Sequence, residues 1–237
     1  MNVAVYQRAG QALTSSAAMT VQGTVVKSTI LLAILLATGA YSWSQAGTGM
    51  SQLLVMLGGI GGFVVALITI FSPKASPITA PLYAALEGLL LGGVSALFEM
   101  KFQGIVFQAM GLSVATLAMM LFLYGTRIIR ATERFKMGLF AATGAIALVY
   151  LVGIVLSFFG MGIPYIHESG AVGIGFSLIV VVVAALNLVL DFDFIERGAA
   201  EQAPKFMEWY GGFGLMVTLV WMYLEILRLL AKMRSRD

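Results

Sequence analysis

The sequence predicts an all-α membrane protein, a polytopic bundle of seven transmembrane helices. Three observations carry this. Of 237 residues, 60% are hydrophobic and only 11% charged, with a mean hydropathy of +0.96, too apolar for an ordinary water-soluble domain. Seven apolar segments approach the roughly 20 residues needed to cross a hydrocarbon core about 30 Å thick. None has the period-2 alternation of barrel strands, so helices are the natural way to satisfy the backbone in lipid.

The segments fall at about 26–45, 51–72, 79–98, 103–125, 137–159, 171–190 and 209–231. In the first, "LLAILLATGAYS" also has the apolar core and small residues of a cleavable signal. The residues before it are long for a signal, modestly basic and rich in Gly, Ser and Thr, so a retained first helix is expected. The second and third carry Gly58 and Gly62, and Gly88 and Gly92, the G-x-x-x-G spacing that lets helices approach closely. Connections are short and no internal repeat is present. The expected organisation is a cytoplasmic N-terminal segment over 1–25, one transmembrane domain over 26–231 and a basic tail over 232–237.

Lys and Arg set the topology. With the N-terminus inside, Arg8, Lys27, Lys74, the cluster Arg127, Arg130, Arg134 and Lys136, and then Arg197 and Lys205 are all internal, while the outer loops before the last helix carry only Lys101. Seven crossings then leave Arg228, Lys232, Arg234 and Arg236 at the outer face. A re-entrant last segment would bring them inside; the length of 209–231 favours a full crossing.

The sequence pI near 9.2 does not signal nucleic-acid binding, because the basic residues lie between or beside apolar runs. With no cysteine there is no disulfide, thiolate nucleophile or cysteine-ligated metal, and His167 alone makes no zinc site. No G-x-S-x-G surrounds a serine, no phosphate loop is present and no second aspartate lies in the last segment, so neither an enzyme nor a nucleotide-binding protein is expected. No cofactor is expected either.

The carboxylates hold the information. A charge at the bilayer centre costs ~2.5–3.5 kcal/mol on insertion scales, so each intramembrane acid needs a reason. Glu87, in "PLYAALEGLLLGG", lies inside the third segment, either as a neutral group bonded to a neighbouring helix or as part of an ion pathway. Asp191 sits at the end of the sixth segment, with Asn187 four residues earlier on the same face. Were the third and sixth helices neighbours, Asp191 and Glu87 would share one polar path. Two such acids cannot both ionise easily, so they would sense pH, and when both are ionised they could hold calcium transiently. Asp193, Glu196 and Glu208 are expected as solvated secondary acids in the loop that follows. Glu225 lies inside the last segment with Arg228 three residues on, the spacing of an intrahelical ion pair.

"SPITAPLYAALEGLLLGG", "LNLVLDFDFIERGA", "EWYGGFGL" and "YLEILRLL" together resemble the Bax inhibitor-1 family, in a bacterial branch, from about Met19 to the C-terminus. The resemblance implies six helices around a central last one, in the bacterial cytoplasmic membrane. Related members are regarded as pH-sensitive calcium leak channels and eukaryotic ones as suppressors of cell death. It further implies a sensor of two aspartates on the last two helices, latched by a basic residue from the inner end of the second. Asp191 matches the first aspartate. Where the second is expected, "GLMVTLVW" offers Thr218, and Glu225 lies two turns on. Ile70 falls about where the latch is expected, leaving Lys74 nearby. Calcium or protons, the bilayer and a membrane protease or stress component are the partners these residues suggest.

Overall fold

The computed structural model describes residues 18–159 and 170–235. Arg8, His167 and Arg236, and the expected N-terminal segment up to residue 17, lie outside the described residues. Among the described residues, seven helices are long and apolar enough to span a membrane: α1 (Val21–Ser44), α2 (Gly49–Phe71), α3 (Ser76–Lys101), α4 (Ile105–Gly125), α5 (Glu133–Phe158), α6 (Ala171–Ala200) and α7 (Met207–Arg234). The chain is therefore a multi-pass membrane protein. Outward residues such as Phe107, 84% exposed, and Phe140, 81% exposed, are what lipid-facing helices present.

Short polar and glycine signals set the ends. Thr20 and Thr132 cap α1 and α5, their hydroxyls accepting from the Gly23 and Phe135 amides. Gly47 and Gly104 take positive φ in the tight turns before α2 and α4, a conformation that glycine adopts without steric cost. Pro73 opens a 3₁₀ turn that separates α2 from α3.

One boundary differs from the sequence expectation, and the last segment crosses in full as its length favours. Helix α6 runs to Ala200, ten residues past the apolar stretch, because the polar residues from Asp191 to Arg197 continue it and Arg197 pairs with Asp193 one turn earlier. Helix α7 is unbroken over 28 residues, ~42 Å at 1.5 Å per residue, with none of the reversal that a re-entrant segment requires.

The described residues form two compact units. The first holds those up to Val94 together with Asp193–Met216; the second holds Ser95–Phe192 and those from Val217 onward. In the first, glycines let helices touch. A Cβ on Gly92 would stand 2.1 Å from the Gly39 carbonyl oxygen, and one on Gly58 would stand 2.6 Å from the Leu86 carbonyl oxygen. Neither contact tolerates a methyl, so α1 and α2 each meet α3 backbone to backbone. The Ser42 hydroxyl donates to the Leu89 carbonyl at 2.7 Å, and Tyr83 meets Phe213 edge-on at 4.9 Å. In the second unit, Leu139, Ile146, Val180 and Val183 form a core between α5 and α6, covered by Phe176 and by Trp221 of α7.

Candidate functional site

In the first unit, Glu87 is the twelfth residue of the 26 in α3 and 8% exposed. Tyr83, one turn earlier, stands beside its carboxylate. Gly62 of α2 makes the room, since a Cβ there would stand 3.1 Å from Glu87 Oε1. Glu87 Oε2 is buried and has no hydrogen-bond partner among the described residues.

Glu208 of the same unit departs most from its sequence reading. Far from being solvated, it is fully buried in the first turn of α7. Its Oε1 accepts from the Thr20 amide at 3.0 Å and the Thr20 hydroxyl at 2.9 Å, and Lys205 Nζ lies 2.9 Å away. A carboxylate at the N-terminus of α1 meets unsatisfied amides and the positive end of the helix dipole. Gly23 is the space it fills: a Cβ there would lie 1.9 Å from Oε1. Beside it Met19 N donates to the Ala203 carbonyl at 2.7 Å, and Ala18 pairs with Pro204 in an antiparallel bridge. Residues 18–20, just before α1, are thus fastened to the α6–α7 link.

The second unit gathers a column of polar side chains between α5, α6 and α7. Thr218 of α7 lies beside the Asp191 carboxylate, whose Oδ2 is buried without a partner among the described residues. Since α6 continues past it, Asp191 lies nine residues inside the helix end, not at its boundary. One turn away on α6, Asn187 Nδ2 donates to Thr143 Oγ1 of α5 and to the Val183 carbonyl, both at 2.9 Å. Next comes Glu225, 1% exposed, whose Oε1 accepts from the Tyr150 hydroxyl and from Arg228 Nη1, each at 2.7 Å. This is the intrahelical pair its spacing suggested, with a tyrosine of α5 added. Glu225 Oε2 is another buried oxygen without a partner among the described residues.

The column ends at Lys232. It does not belong to a solvated tail: it is 7% exposed, and its Nζ donates to Ser177 Oγ at 2.8 Å and to the Gly173 carbonyl at 3.1 Å. Asp191 with Thr218 and Ser177 with Lys232 are fourteen residues apart on each helix, so α6 and α7 run antiparallel in one register. The polar column is ~21 Å long at 1.5 Å per residue, about two thirds of a hydrocarbon core. Thr218, Glu225 and Lys232 at seven-residue spacing were the available signal for it, a polar stripe on an otherwise apolar helix.

The remaining candidates lie elsewhere. Asp193 and Glu196 are on the last two turns of α6, where helix replaces the expected loop; Asp193 is bonded by Arg197, and Glu196 is exposed. Lys74 is exposed on the 3₁₀ turn after α2. Glu87 belongs to the first unit and Asp191 to the second. No group of three or more His, Cys, Asp or Glu side chains that could hold a metal occurs among the described residues.

None of the curated proteins compared with the sequence matches it. A family described as Bax inhibitor 1 like matches residues 2–235. That match takes in all seven helices, the buried acids of both units and the α7 stripe, and it agrees with the resemblance carried by the acidic segments. The chain belongs to the Bax inhibitor 1 like family.

Proposed function

We propose that this protein is a pH-sensitive cation leak or transporter of the bacterial cytoplasmic membrane, with its N-terminus cytoplasmic, calcium its permeant ion and protonation of buried carboxyls its gate. The observation that carries the reading is Asp191, held inside α6 beside Thr218 with one carboxylate oxygen buried and unpartnered among the described residues. A carboxyl so placed changes the charge of an apolar bundle when it takes or releases one proton. That charge is expensive enough in lipid to alter how the helices around it pack. Thr218 stands where the family resemblance leads one to expect a second acid, so Asp191 works with a hydroxyl partner. Glu87, with its own tyrosine and its own unpartnered oxygen, is the acid of the first unit suited to the same role. Asn187 and Glu225 continue the polar route in the second.

Liposomes loaded with a calcium-sensitive dye test this. The purified protein should admit calcium at a rate that depends on internal pH, and Asp191→Asn and Glu87→Gln should each weaken that dependence. Flux that is absent, or unchanged from wild type in both variants, removes the reading.

One observation favours a second reading, a non-conducting regulator of a membrane protease or stress component. The turn from α4 to α5 presents Arg127 and Arg130, with Arg134 just inside α5, and Arg127 holds φ +60°, unusual for a non-glycine residue. Crosslinking from this turn that captures one specific partner, with silent liposomes, supports that alternative.

A further inference from the structure

Lys232 lies within the last three residues of α7, where a lysine in a spanning helix ordinarily extends its ammonium outward to the interface. This one turns inward. It is 7% exposed and donates to the Gly173 carbonyl and the Ser177 hydroxyl, two neutral oxygens on the first two turns of α6. Carbonyl and hydroxyl oxygens that converge in a buried place are the groups that replace the hydration shell of a cation. Glu225, the nearest acid on this face of α7, already accepts from Arg228 one turn before Lys232. Two resident cations therefore stand at this end of the column whose other end is Asp191.

We propose that the Gly173 carbonyl and the Ser177 hydroxyl form a site for an ammonium or small monovalent cation, and that Lys232 fills it as a tethered cation closing this end of the polar column. The closing role rests on the leak reading above; the ammonium site does not. Removing the amine opens the column to cations from solution. Weakening the Ser177 anchor loosens the closure without removing the charge.

The test uses the full chain in liposomes and in detergent. Lys232→Ala should raise potassium flux on the order of tenfold, the scale of one partly screened charge at close range. Butylammonium, which can place a primary ammonium on the same two oxygens, should lower that flux again, whereas tetramethylammonium, which has no N–H to donate, should not. Ser177→Ala, which keeps the lysine and loses one acceptor, should raise flux by a smaller factor and serves if Lys232→Ala does not fold. A conducting wild type with no rise in either variant overturns the closure, and a rise that butylammonium leaves unchanged overturns the site. If no chain conducts, the leak reading fails and the melting temperature decides the site. A butylammonium-dependent increase in Lys232→Ala but not in wild type supports it; no increase overturns it.

Discussion

Gly62 and Glu87 share one space: a Cβ on Gly62 would stand 3.1 Å from Glu87 Oε1. Gly58, one turn earlier on α2, is empty for another reason, since a Cβ there would stand 2.6 Å from both the Leu86 carbonyl oxygen and the Leu90 amide. One glycine of the G-x-x-x-G pair admits a backbone and the other admits a carboxyl. Backbone cannot yield as a side chain does, so Gly58→Ala should cost ~1–3 kcal/mol as overpacking. Gly62→Ala should cost less and instead displace the Glu87 carboxyl by a few tenths of an ångström. Thermal unfolding in detergent compares the two. Equal losses would mean that Glu87 is as rigidly held as the helix backbone.

Glu208 and Gly23 make a similar pair with a sharper clash, 1.9 Å from the added Cβ to Oε1. Gly23→Ala must expel the carboxylate from the start of α1 and forfeit its two bonds to Thr20, a loss of about 1–3 kcal/mol. In the double variant Gly23→Ala, Glu208→Ala the clash is gone, so the two effects should fail to add by at least ~0.5 kcal/mol. A double-mutant cycle on the melting transition checks this. Additive losses would separate the two residues.

What the sequence made legible follows hydrophobic length. All seven helices were readable because a span of ~20 apolar residues is a long signal that tertiary context seldom overrides. The ends were less so. Helix α6 continues ten residues beyond its apolar run on polar residues stabilised by the Arg197–Asp193 pair, and composition alone marks that stretch as loop. Glu225 with Arg228 was readable because both partners lie on one helix; Glu208 with Thr20 was not, because 188 residues separate them. Lys232 was misread for its position: a basic residue near a chain end is ordinarily solvated, and its Gly173 and Ser177 acceptors are fixed only by the register of α6 and α7.

Glu225 is held by two donors of different worth. The Tyr150 hydroxyl belongs to another helix, whereas Arg228 is a neighbour on α7 whose side chain is 42% exposed. Tyr150→Phe removes two hydrogen bonds to charged groups, the one donated to Glu225 and one accepted from Arg228 Nη1 at 3.1 Å, and should cost at least ~1.5–3 kcal/mol. Arg228→Leu should cost more if Glu225 is then left buried with its charge, since breaking a buried pair from one side costs ~3–5 kcal/mol, reduced here by the exposure of the arginine. Glu225→Gln in the Arg228→Leu background should recover part of the loss. If it recovers nothing, the loss in Arg228→Leu does not come from Glu225.

Asp191 and Trp221 allow the protonation gate to be watched without flux. Trp221 lies one turn after Thr218 and covers the Val180–Val183 core of the second unit, so it sits on the packing that a change of charge at Asp191 would disturb. With Trp43 and Trp209 replaced by Phe, its emission alone reports that packing. On titration from neutral to acid, the otherwise native chain should show a spectral shift as Asp191 loses its charge. Asparagine is the neutral mimic of the protonated acid. Asp191→Asn should therefore hold the acid-form spectrum throughout, because a proton that finds no carboxylate at that position can alter no packing there. A shift of the same size in Asp191→Asn would assign the titration to another group, and Glu225→Gln and Glu87→Gln in the same background would identify which.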